Sequence, residues 1–227
     1  MNIIKSEFNK IKQKLNTDKI PHFIFINYIL VIFLLIGIYF INYKFNIPFE
    51  KLTGDPALTF NAHPFVGFLS NIGVLIWSFT AAICYFSAVI LLKINDKKNA
   101  LFFLSSAIFT SVLLIDDLFM FHDYIFYSFK NFKIAQPLTF TIYAIFLLWY
   151  IVKFYKIILN SLYIFLVLAV GFFGLSVCID LIFESGGLEY FIEDGFKFIG
   201  LINWMLFFLI TSYQTCTNKM VLKDLNP

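Results

Sequence analysis

Apolar residues fall in six long runs with short polar punctuation between them, at approximately 23–43, 66–92, 99–122, 138–158, 160–183 and 195–215. Each reaches about the 20 residues that a helix needs to cross a hydrocarbon layer of roughly 30 Å. Proline stands at 21, 48, 56, 64, 137 and 227, outside every run. No predicted helix therefore carries the ring clash and missing amide that would kink it. Lys153, Lys156 and Asn160 break the apolar stretch between the fourth and fifth runs, which predicts a tight helical hairpin. The first run exceeds a signal-peptide core and no small-residue cleavage site follows it, so it reads as a retained membrane helix. Upstream, Ile4, Phe8, Ile11 and Leu15 recur at helical spacing, with Lys5, Lys10, Lys12 and Lys14 at other positions. That pattern predicts an amphipathic helix lying on the membrane surface. The expected fold is all-α: a polytopic membrane bundle of six transmembrane helices with an N-terminal amphipathic helix. Residues 1–20 form the cytoplasmic amphipathic segment, 21–217 the transmembrane domain and 218–227 a cytoplasmic tail.

Composition narrows the class. Hydrophobic residues make up 60% of the 227 positions and charged residues 14%, with 32 Phe. Soluble domains carry about 25% charge, so a soluble fold, a disordered chain and a nucleic-acid-binding domain are excluded. Three cysteines, Cys84, Cys178 and Cys216, lie in or beside apolar runs and argue against a disulfide framework. All 17 basic residues are lysines. With the N-terminus in the cytoplasm, twelve of them fall in inner segments and five in outer ones. The positive-inside rule selects that orientation, with both termini cytoplasmic in a plasma or inner membrane. The net charge of +3 is then a topology signal and a contact with lipid headgroups, with no nucleic acid implied.

The acids are distributed the opposite way. Asp116, Asp117 and Asp123 end the third run, Asp180 and Glu184 end the fifth, and Glu189, Glu193 and Asp194 precede or open the sixth. His122 lies among them, and His63 stands just before the second run. All converge on the outer membrane level. Asp116 and Asp123, seven apart, share a helix face, while Ser176, Asp180 and Glu184 form one stripe and Glu193, Lys197, Gly200 and Trp204 another. Asn71 and Ser78 are the polar residues of the second run that could face the same region. Locally, Glu193 and Lys197 are spaced for an i, i+4 ion pair, and Asp194 could cap the sixth helix. Carboxylates at this depth are costly and normally face a bundle interior or a water-filled cavity. An outward-opening polar cavity between spans two, three, five and six is expected.

Carboxylates with imidazole suit a divalent metal ion. The expected ligands are Asp116, Asp117, His122, Asp123, Asp180, Glu184, Glu193 and Asp194, with Asp117, Asp180 and Glu193 as the catalytic groups. The leading function is a divalent-metal-dependent membrane enzyme, a hydrolase or oxidoreductase, acting on a lipid-like substrate. A cation or proton-coupled transporter or channel is the second reading. It is weighed against the sparse polar groups of the inner half, mainly Ser78, Thr80, Ser105, Ser106, Thr110 and Ser111. A third is a non-catalytic subunit of a larger membrane complex, or a homo-oligomer, using the small-residue face Gly171, Gly174 and Cys178. No phosphate-binding glycine loop or nucleophile elbow is present in the sequence. One internal echo, I-G-x-x-x-W, occurs at Ile72–Trp77 and again at Ile199–Trp204.

Overall fold

The computed structural model describes residues 20–54, 56–120, 132–182 and 187–225. Among them the regular structure is helical throughout: α1 (Ile20–Phe45), α2 (Phe49–Thr53), α3 (Pro56–Thr59), α4 (Phe68–Lys93), α5 (Lys97–Phe119), α6 (Phe132–Leu159), α7 (Ile164–Ile182) and α8 (Gly187–Leu225). Four helical stretches are long and apolar enough to cross a membrane: Phe68–Lys93, Lys97–Phe119, Leu138–Leu159 and Tyr190–Lys219. Such helices are compatible with an integral membrane protein. α1 and α7 stand where the first and fifth apolar runs predict helices, with shorter described apolar stretches, Val31–Phe45 and Ile164–Asp180. The amphipathic segment expected over residues 1–20 lies, but for Ile20, outside the described residues.

The chain divides into two units, residues 1–66 and 67–227. In the first, Tyr39 of α1 stacks on Phe49 of α2 at 6.3 Å, and Asn42 Nδ2 donates to the Ile47 carbonyl at 2.8 Å. The second unit holds α4 to α8. α4 packs on both α5 and α8, and α8 also packs on α7. α6 meets α5 through rings: Phe102 stacks on Tyr150 at 5.6 Å and Phe109 on Phe146 at 4.6 Å. Large aromatic side chains hold these two backbones apart while filling the space between them. The outward face of α6, with Ile142, Ile145, Leu148 and Val152, is exposed, as a helix solvated by lipid tails would be.

Turn chemistry explains the connections. α4 ends with Asn95 in the left-handed region at φ +63°, and the Asp96 amide reaches back to the Leu91 carbonyl at 2.9 Å. Asn tolerates that conformation better than most residues. Asp96 then caps α5, its carboxylate accepting from the Asn99 amide at 3.2 Å. The short connection expected between the fourth and fifth runs is present, α6 ending at Leu159 and α7 beginning at Ile164, but among the described residues the two helices do not pack along each other as a hairpin would; α7 packs on α8. Lys153 lies over the Trp149 ring at 4.4 Å.

One local expectation is corrected. Helix α8 begins at Gly187, so residues 187–194, expected as loop, are helical, and Asp194 lies two turns inside the helix where no cap is needed. The small-residue face of α7 is open among the described residues: a Cβ at Gly171 or Gly174 would meet nothing within 4 Å. The close approach of α7 and α8 is made by Gly200, where a Cβ would lie 2.8 Å from Phe173 Cδ1 and 3.2 Å from the Ala169 carbonyl. The repeated I-G-x-x-x-W motif meets itself here. Trp77 and Trp204 pack edge to face at 6.3 Å, and both contact Phe173, at 5.7 and 6.3 Å. Gly200→Ala should therefore lower stability by about 1–3 kcal/mol through overpacking, while Gly174→Ala should be near neutral. Thermal unfolding in detergent measures both, and equal melting temperatures for the two variants would contradict this packing.

Candidate functional site at one end of the bundle

Three helices converge where α5 ends and the first turns of α8 pass. Asp117 of α5 is 11% exposed on its side chain and forms an ion pair with Lys197 of α8, which is 35% exposed. Asp117, Asp194 and Lys197 line a cavity of about 20 Å³ together with Ser70, Gly73 and Leu201. That volume holds about one water molecule. Gly73 opens it: a Cβ there would sit 3.9 Å from Asp117 Oδ2 and 3.5 Å from Leu201. Lys197 also feels Asp194 and Glu193 electrostatically, so one ammonium answers several carboxylates.

Successive helix residues turn by about 100°, and this separates the two adjacent aspartates. Asp117 faces α4 and α8, whereas Asp116, 6% exposed, takes a hydrogen bond from the Tyr143 hydroxyl of α6. Ser176 is buried on α7, and Asp180 and Glu193 are half-buried. Gly200 and Trp204, from the expected α8 stripe, are buried in the interior. Expected ligands His122, Asp123 and Glu184, and the side chain of Glu189, lie outside what the structure describes. Among the described residues no group of three or more His, Cys, Asp and Glu side chains is gathered around a common point for a metal ion.

Lys197 makes its close ion pair with Asp117, 80 positions away, and Glu193 acts on the same ammonium electrostatically. Two expectations change. Asn71 and Ser78 are exposed, and Ser78 donates to the Val74 carbonyl of its own helix. Ser70 and Gly73 line the cavity where those two were expected to face it. Gly73 and Trp77 were visible in the repeated motif, whereas nothing in the sequence marks Ser70.

A second aspartate–lysine pair closes the opposite end of the same two helices. Lys219 Nζ of α8 lies 2.9 Å from Asp96 Oδ2 at the start of α5. Asn99 Nδ2 donates to the same carboxylate at 2.8 Å. Between the two pairs, Trp204 Nε1 donates to Thr110 Oγ1 at 3.1 Å, and Ser87 and Ser212 share a short hydrogen bond. Cys84 and Cys216 are buried, Cys178 is exposed, and all three are free thiols.

Fold and site together define an all-helical protein with four helices fit to cross a membrane and a carboxylate–ammonium cluster at one end of their bundle. The family described as Domain of unknown function (DUF8692) matches residues 24–211, and the chain belongs to that family. No curated protein and no solved structure matches it.

The Asp96 pair has a pH signature. Burial at the turn pulls its carboxyl upward. The Lys219 ammonium and the Asn99 side chain and amide outweigh that pull and hold the group below the ordinary carboxylate value. A depressed folded value means the pair contributes fully above the ordinary carboxylate pKa and is lost as pH falls through the lower, folded one. Melting temperature in detergent should thus drop across the acid range, and Asp96→Asn should flatten that drop while lowering stability at neutral pH. A variant whose acid profile matches the parent's would show that Asp96 contributes nothing to it.

Proposed function

We propose that the chain is a six-span integral membrane protein of a plasma or inner membrane, with both termini cytoplasmic, and that the Asp117 end of its bundle is an outward-facing cation site. The observation that carries this reading is the make-up of one cavity wall, where Asp117, ion-paired to Lys197, stands with the exposed Asp194. Two anions to one cation leave the wall negative. Carboxylates at this depth are tolerated only with compensation, costing about 2.5–3.5 kcal/mol on insertion scales. A cation arriving from outside takes carboxylate oxygens as ligands while Lys197 moves off Asp117. Mg²⁺, Ca²⁺ and Mn²⁺ have the required preference for oxygen, and His122, Asp123 and Glu184 are the further donors that the sequence offers nearby.

The cavity of about 20 Å³ suits the cation itself better than a lipid-sized molecule. Cation or proton-coupled transport is therefore the activity that the geometry favours. A metal-dependent hydrolase or oxidoreductase would draw on the same carboxylates, Asp117, Asp180 and Glu193, with the divalent ion resident. The open face at Gly171 and Gly174 leaves room for a second helix, from another copy or from a larger membrane complex.

Binding separates these readings. Titration of the purified protein with Mg²⁺, Ca²⁺ and Mn²⁺ should detect binding of one of them. Asp117→Asn should weaken it roughly tenfold or more, and Lys197→Gln, which removes the competing ammonium, should tighten it. Failure of all three ions to bind, or equal affinity in both variants, would sink the cation site. A tightly retained ion with turnover of a lipid substrate and no ion flux would select the enzyme.

A further inference from the structure

We infer that the Asp96–Lys219 end of the bundle holds the phosphate headgroup of an anionic membrane lipid. The inference rests on the membrane-spanning reading and is independent of the cation site at Asp117. Its basis is an open cavity of about 350 Å³ lined by Ile94, Asn95, Asp96 and Lys219. That volume falls within the range of small-molecule sites, about 300–1,000 Å³. The turn between α4 and α5 supplies three of the four residues and α8 the fourth, so the cavity exists only where the folded helices meet.

The charge beside this cavity has one sign. Lys93 ends α4, and Lys97 and Lys98 open α5. All three are exposed, and they flank the lining residues directly in sequence. α4, α5 and the turn between them carry no acid before Asp116 except Asp96. The Asp96 carboxylate is already engaged, accepting from Lys219 Nζ at 2.9 Å and from the Asn99 amide and side chain. That pair cancels within the wall, and the three flanking ammoniums remain. An ammonium carries three N–H donors, so Lys219 holds Asp96 with one and offers the others to a phosphate oxygen. The opposite end of the bundle reverses this setting. There the Asp117–Lys197 pair stands among Asp194 and Glu193, beside a cavity of only about 20 Å³. A phosphodiester suits the roomy, basic end alone.

Position selects a lipid over a free anion. α4 is fit to cross a membrane up to Lys93 and α5 from Lys97 onward, which sets the turn between them at headgroup level. Leu92 and Leu101, close in sequence to these lysines, are exposed and give acyl chains an apolar surface beside the cavity. Basic pockets at the ends of membrane helices take anionic headgroups, each lysine near the surface strengthening the attraction about fivefold.

The test is lipid binding by the full chain in a neutral detergent, with bound lipid counted by native mass spectrometry. Phosphatidylglycerol should bind at least tenfold more tightly than phosphatidylcholine, and inorganic phosphate should not displace it. Lys93→Gln combined with Lys97→Gln should weaken phosphatidylglycerol binding roughly tenfold or more. Lys153→Gln combined with Lys156→Gln removes the same charge from α6, where both ammoniums lie over rings of their own helix. That control should change the affinity less than threefold. All four lysines are exposed, so both double variants keep the fold. Equal affinity for the two lipids overturns the site. Equal losses in the two double variants also overturn it, leaving a general basic rim, and displacement by inorganic phosphate overturns it in favour of a free anion. None of these outcomes alters the divalent-ion titration at Asp117, so the two sites stand or fall separately.

Discussion

Two aspartate–lysine pairs join the same two helices, and much of the bundle follows from that arrangement. Asp117–Lys197 ties the end of α5 to the early turns of α8, and Asp96–Lys219 ties the start of α5 to the late turns of α8. The helices are therefore antiparallel, and their register is pinned twice. Asp96 and Asp117 are separated by about 31 Å of helix rise, close to the thickness of a hydrocarbon core of roughly 30 Å. Pairs spaced this way can both stand near the edges of such a core, where water and headgroups soften the desolvation that a mid-membrane pair would suffer.

Packing between the clamps depends on that register. Trp204 reaches Thr110 and stacks edge-on against Phe109 at 6.0 Å only because α5 and α8 are held in step. The same alignment brings Trp204 beside Trp77 and both beside Phe173. Gly200 then becomes a requirement, since no side chain fits between α8 and the Phe173 ring. Aromatic residues supply the bulk of the core, and small residues admit it at a few chosen points.

The helices were legible in the sequence because length, apolarity and proline placement are local properties. That Asp117, Asp194 and Lys197 share one level was legible too, since residue count along a helix measures distance along its axis. What escaped was azimuth and partner choice. Asp116 and Asp117 are neighbours in sequence yet serve different interfaces, Tyr143 on one side and Lys197 on the other. Lys197 sits four residues after Glu193, and that spacing invited a local pair. The partner with which it makes its close ion pair comes from 80 positions earlier, a relation that no local spacing encodes. Asn71 and Ser78 were polar residues in the right run but on the wrong face, and glycine, with no side chain to signal it, lined the cavity instead.

The buried hydroxyls of the interior show how a polar group survives in such a core. Thr80 donates to the Ile76 carbonyl, Ser87 to Ile83 and Ser106 to Phe102, each at 2.7–2.8 Å. A hydroxyl that bonds the carbonyl one turn back brings no unsatisfied atom into the interior, and so says little about function. Ser106 goes further and also pairs with Tyr150 at 2.6 Å, which fastens α5 to α6. Thr211 does neither, although the same local solution is geometrically open to any threonine in a helix. Its hydroxyl, unpaired among the described residues, is thus a departure from the rule that its neighbours follow, and it lies on the α8 face that carries both lysine clamps.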